Sequence, residues 1–220
     1  MSTMTNTQKN SDTLNSTTSN SNNEIRTSLN GVWILDKKRG QPSVRGFLET
    51  MGVNELAIEA NEKGEADHDT IHDICLTPTH YKIKKLSRVN DMVLDVDLGK
   101  DHVKTLVPGD RTKKTLATSE HLGMVRVESS MPTMNGTARV TDVKTLVQEG
   151  GEGSADLNKK RSSVYIQRLT IVNESTGKSH ETIRYFVPFH GEIGPTALTA
   201  GGNKKKERYY DDDHMDTQGS

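Results

Sequence analysis

The sequence predicts an all-β fold: a ten-stranded up-and-down antiparallel β-barrel with a short helix-turn-helix lid between the first two strands. Three observations lead there. Apolar and polar residues alternate with period two in one run after another, as in VDLGKDHVKTLV at residues 96–107, which marks strands with one dry and one wet face. The connections between runs are mostly short, so the strands follow one another up and down. A meander with only 4% aromatic residues must still remove its sheet edges, and closing on itself does that best.

The first strand is LNGVWILDKK, residues 29–38, and it carries the sole tryptophan, Trp33, expected as a core plug at the closed end of the barrel. The period then changes. Across PSVRGFLETMGVNELAIEANEK (42–63), Val44, Phe47, Leu48 and Met51 recur at helical spacing and Gly52 breaks the run. Asn54 can then cap a second helix carrying Leu56, Ala57 and Ala60. Next comes TIHDICLTPTHYKIKKL, a hairpin turning at Thr77-Pro78-Thr79. The remaining strands are DMVLDVDL, HVKTLV, KKTLATS, MVRVES, TARVTDVKTLV, VYIQRLTIV and ETIRYFVPF. Between the last long pair, QEGGEGSADLNKKRSS (148–163) is rich in glycine and charge and reads as a long mobile loop.

Composition divides the 220 residues into three zones. Residues 1–27 form a polar, disordered N-terminal segment, 28–190 the barrel, and 191–220 a disordered charged tail. A net charge of −1, from 29 basic and 30 acidic residues, leaves no global field to draw the chain to nucleic acid or an anionic membrane. Transient membrane contact is therefore not electrostatically favoured. No stretch is apolar for long enough to span a bilayer, and the first residues lack a secretory signal, so the expected location is cytoplasmic. A transit peptide is the lesser reading, because such segments are Arg-rich. The one cysteine, Cys75 in Ile74-Cys75-Leu76, rules out an internal disulfide framework and reads as a buried, inert thiol. His68 and His72 would stand far apart on one face of a strand, and are expected to be exposed rather than metal-bound.

Several segments in fixed order resemble the cytosolic fatty-acid-binding proteins, the intracellular lipid-binding branch of the calycins. They are Gly31-Val32-Trp33 in the first strand, Phe47-Leu48-Glu49-Thr50-Met51-Gly52-Val53 across the helical turn, Leu98-Gly99, Thr105, Arg111-Thr112-Lys113, and Thr182-Ile183-Arg184-Tyr185-Phe186 in the last strand. The resemblance spans residues 29–189 and implies a monomeric, non-enzymatic carrier with no cofactor. Its ligand would be a fatty acid or another lipophilic small molecule such as a retinoid or bile acid. This chain departs from the family at His102, where a Phe is usual, and at Val107-Pro108. Its lid helices are acidic, with Glu55, Glu59, Glu62 and Glu65 against Lys63.

In that family an Arg in a late strand and an Arg-x-Tyr in the final strand hold the ligand carboxylate. The matching positions here are Arg139, and Arg184 with Phe186. Arginine suits the task because its planar fork stays charged when desolvated. Phe186 lacks the phenolic hydroxyl, so Tyr185 would have to reach in through a bulge, and altered head-group selectivity is expected. Cavity and portal residues would be Phe47, Met51, Val53, Leu94, Val96, Val125 and Ile166. The competing reading is a β-barrel protein-interaction module with no functional lipid cavity, its interior filled and its arginines turned outward. An enzyme is least favoured, since no nucleophile, base or metal constellation has supporting spacing.

Overall fold

The computed structural model describes residues 26–87, 91–106, 111–133, 136–150 and 162–191. The elements run β1 (Gly31–Gly40), α1 (Arg45–Thr50), α2 (Glu55–Asp67), β2 (Ile71–Leu76), β3 (His80–Leu86), β4 (Met92–Asp97), β5 (Asp101–Leu106), β6 (Arg111–His121), β7 (Met124–Thr133), β8 (Gly136–Glu149), β9 (Ser162–Asn173) and β10 (Ser179–Pro188). Every strand pair is antiparallel, and the sheet order is β4-β3-β2-β1-β10-β9-β8-β7-β6-β5. The sheet thus curls into a nearly closed barrel whose two ends are β4 and β5. The turn between them reaches across: Leu98 donates its N–H to Thr79 and Gly99 donates to Ala117.

Alternation sets the inner face. On β7, Val125 and Val127 are buried while Arg126 is exposed; on β3, Tyr81 and Ile83 are buried while Lys84 is exposed. One apolar cluster fills the closed end around Trp33, Leu29, Leu35, Leu76, Tyr165 and Phe186. Trp33 is fully buried, as a plug requires, and donates from Nε1 to the Leu29 carbonyl at 2.8 Å. Leu29 in turn donates to Leu122 in the β6–β7 turn. A smaller cluster of Ala138, Val140 and Ile171 lies at the opposite end, where Phe47, Met51, Met131 and Leu169 pack against it.

The helices follow the predicted signals. Asn54 caps α2 by accepting from the Ala57 N–H at 2.9 Å. Gly52 takes φ of +79°, the left-handed value that lets the chain leave α1 and reverse. Arg45 ties the pair together, donating to Glu55 and to Glu62 at 2.6 Å each. On α2 the buried apolar residue is Ile58, whereas Leu56 is 77% exposed: the helix turns a different stripe toward the barrel than a Leu56-centred reading implies. β1 breaks register between Leu35 and Gly40, where Gly40 at φ +66° comes so close that a Cβ would meet the Ile183 carbonyl at 2.5 Å.

Cys75 corrects a sequence expectation. It is exposed, because its neighbours Ile74 and Leu76 take the inner positions of β2 and leave it the outer one. The long 148–163 stretch is partly strand: Gln148 pairs with Ser163 and Glu149 with Ser162, while 151–161 lie outside the described residues. Of the zones expected to be disordered, 1–27 and 191–220, residues 1–25 and 192–220 also lie outside the described residues, whereas Arg26 donates its backbone N–H to Ser163 Oγ at 2.6 Å. Among the described residues, no helix is long and apolar enough to cross a membrane.

Candidate ligand-binding site

The inner face of β8, β9 and β10 changes character row by row from the closed end upward. Phe186, Tyr165 and Leu146 lie opposite one another in the lowest of these rows; the next holds Arg184, Gln167 and Lys144; then come Thr182, Leu169 and Asp142; the uppermost holds His180, Ile171 and Val140, beneath α1. An aromatic floor therefore carries a basic belt, and the belt opens toward an apolar mouth.

Each belt cation is almost fully buried, Arg184 and Lys144 at 2% side-chain exposure apiece. Burying a charge is costly unless it is paired, and each has a carboxylate. Lys144 donates to Asp142 two residues away on its own strand at 2.6 Å, and Gln167 donates to both oxygens of that carboxylate at 3.0 Å. Arg184 donates from Nη2 to Glu65 of α2 at 3.1 Å. Nε of Arg184, Oε2 of Glu65 and Oγ1 of Thr182 are buried with no hydrogen-bond partner among the described residues. Burial opposes the Lys144 ammonium, but Asp142 outweighs it, aided by Tyr81, and holds the group above the ordinary lysine range.

Below the belt, Phe186 stacks on Tyr165 with ring centroids 4.5 Å apart and on His72 at 4.4 Å, and Tyr165 meets Trp33 edge-on at 5.2 Å. His72 Nδ1 and the Tyr165 hydroxyl are hydrogen-bonded. Burial pushes His72 well below the usual imidazole value, with Lys144, Lys85 and Arg184 adding repulsion. Burial likewise raises Tyr165 strongly, and brings Tyr81 up to about 12. The interior disfavours added positive charge on His72 and negative charge on the phenols. Lys85, on the inner face of β3, is lowered by burial and then by Arg184.

The expected site residues separate cleanly. Arg184 and Phe186 point inward, as do Val96 and Val125; Leu94 packs against the closed-end cluster. Phe47 and Met51 lie at the mouth, and Val53 is half-buried in the link between the helices. Arg139 does not face the interior. It is 70% exposed and pairs with Glu174 at 2.9 Å, because it shares the outer positions of β8 with Thr141 and Val143. Tyr185 and Ile166 are opposite one another on the outer face, with the Arg39 guanidinium 4.3 Å above the Tyr185 ring. No bulge turns Tyr185 inward. His72 was expected to be exposed, but β2 starts at Ile71 and its pairing with Trp33 puts His72 inside; His68 caps the end of α2 and shares no face with it. Lys144, Gln167, Asp142 and Glu65 were missed. Lys144 falls in step with Ala138, Val140 and Leu146, but Val143 and Val147 occupy the other parity, so the alternation alone does not single it out.

No family model and no curated protein matches the chain. Solved structures do. Apo lipid binding protein 8 of Caenorhabditis elegans is 17% identical, covering 73% of this chain and 94% of its own, with a TM-score of 0.50. The fatty acid-binding protein of Drosophila melanogaster brain tissue is 16% identical over 71% of this chain and 95% of its own, at 0.47. A fatty acid binding protein of Schistosoma mansoni in complex with arachidonic acid is 10% identical over 74% and 98%, at 0.49. The likeness to the nematode protein is one of fold: this chain has the fatty-acid-binding-protein fold.

Proposed function

We propose that the chain is a non-enzymatic carrier that holds a fatty acid or similar lipophilic acid inside the barrel. The carboxylate meets Arg184, whose buried Nε has no partner among the described residues, with Lys144 across Gln167 in the same row; the tail rises along Val140, Ile171, Phe47 and Met51. The observation that carries this reading is the buried belt of Arg184 and Lys144, two rows beneath the apolar side chains of Ile171 and Val140. Each methylene taken out of water there contributes about 0.8 kcal/mol, and the head group is met by charge-assisted hydrogen bonds. The interaction-module alternative expects a filled interior and outward arginines; Arg139 is outward, and the inward Arg184 is what favours the carrier. The likeness of fold to a nematode protein named as lipid-binding supports the same reading.

The test is a titration of the delipidated full chain with a fluorescent fatty acid, competed by oleate and by methyl oleate. One saturable site selective for the acid is expected, with Arg184→Gln weakening it on the order of 10- to 100-fold and Arg139→Gln leaving it unchanged. No saturable binding by the folded protein, or equal competition by acid and ester, would overturn the reading.

A further inference from the structure

The two buried cations differ in where their partners come from. Asp142 stands two residues from Lys144 on β8, and Gln167 on β9 grips both its oxygens, so that pair is part of the barrel wall. Glu65 comes from α2, outside the sheet. Its carboxylate is 9% exposed and reaches Arg184 with one oxygen, leaving Oε2 without a partner and Arg184 Nε without an acceptor. The contact is monodentate where arginine and carboxylate can pair through two bonds. A wall pair can give way only if strands move, whereas the Glu65 pair can break by displacement of a helix.

α2 is suited to such displacement. Ile58 is its only buried residue. Asn61 and Glu65 follow at i+3 and i+7 on the same stripe, and Oδ1 of Asn61 is buried without a partner. The helix is otherwise held from its ends and its outer side. Lys37 of β1 donates to the Ala66 and His68 carbonyls at its C-terminus, at 3.0 and 2.8 Å, and Arg45 of α1 holds Glu55 and Glu62. Glu65 is therefore its one charged anchor in the interior.

We propose that Glu65 is a specificity-determining residue: an internal carboxylate that occupies the anion position at Arg184 and must be displaced by the acid group of the ligand, which frees α2 as it binds. This rests on the reading that Arg184 receives the ligand carboxylate. Two carboxylates cannot share one guanidinium in a dry site without strong repulsion, so occupancy by Glu65 and by the ligand acid is mutually exclusive. The latch lowers apparent affinity by the fraction of molecules in which it is open. It also screens ligands, since a neutral lipid cannot take Arg184 from Glu65.

Glu65→Gln keeps the length and an acceptor oxygen while removing the charge. In the full chain it should tighten oleate binding about tenfold and leave methyl oleate unchanged. Equal tightening for acid and ester would mean that α2 is merely loosened, and no change for either would mean that Glu65 does not compete; both overturn the proposal. Amide hydrogen exchange over residues 55–67 gives a second readout. Oleate should speed exchange there in the native protein, and Glu65→Gln should speed it without ligand; slowing by oleate overturns the latch. If oleate binds neither protein, the carrier reading itself fails. If it binds the native chain and weakens with Arg184→Gln but ignores Glu65→Gln, only the latch fails.

Discussion

The two ends of the barrel interior are built to different standards. At the closed end Trp33, Tyr165, Phe186, Leu29 and Leu76 are buried to 1% exposure or less and interlock through stacked and edge-on rings. Beneath α1, the buried apolar residues of the cluster are Ala138, Val140 and Ile171, and Phe47, Met51, Met131 and Leu169 close over them part-exposed. The first arrangement excludes water and fixes the fold. The second leaves apolar surface incompletely covered, which is where a ligand tail gains most from binding. The charged belt stands at the boundary, so in the proposed carrier a head group would be met at the depth where packing quality changes.

Substitutions that truncate side chains should expose this contrast most strongly. Phe186→Ala removes a ring shared by Tyr165 and His72 and should cost about 3–5 kcal/mol in urea unfolding. Met51→Ala, on partly exposed surface at the mouth, should cost less than about 2 kcal/mol while weakening fatty-acid binding. Similar losses of stability at both positions would erase the distinction.

A smaller effect separates the aromatic floor beneath the belt from the surface by pH. His72 is neutral in the fold, its affinity for protons depressed by burial and by Lys144, Lys85 and Arg184. In the unfolded chain it titrates near its ordinary value, so below about pH 6.5 the unfolded state binds the extra proton and stability falls as pH falls. Between pH 7.5 and 5.5 this single group should account for a loss on the order of 1 kcal/mol. The difference between the native chain and His72→Gln, whose amide cannot titrate, measures it; parallel stability–pH curves would show that His72 protonates freely in the fold.

The least effect is expected outside. Arg139→Gln and Cys75→Ser lie on the outer faces of β8 and β2, and each should change unfolding free energy by no more than about 0.5 kcal/mol.

Much of the fold was legible because its signals are local: period-two alternation, the Asn54 cap and the Gly52 break each act within a few residues. The site was legible only in part. Arg184 and Phe186 came from resemblance, and their alternation with Ile183 and Tyr185 puts them on one face. Arg139 misled because TARVTDVKTLV carries apolar residues at both parities, Ala138, Val140 and Leu146 in one and Val143 and Val147 in the other. The period alone could not choose the inner side. A lysine at position 144 then reads as surface, since strand charges usually are. Glu65 was hidden for another reason: α2 is polar around most of its circumference, and what turns Glu65 inward is a cation 119 residues away. Such pairs exist only in three dimensions.

Trp33 has an optical consequence. It is the only indole in the chain, wholly shielded from solvent and set in the closed-end cluster rather than beneath the helices. Its emission in the folded protein should lie at short wavelength and shift to the red on denaturation. An unlabelled sample thus carries its own reporter of global unfolding, one placed to stay quiet when a ligand disturbs only the mouth.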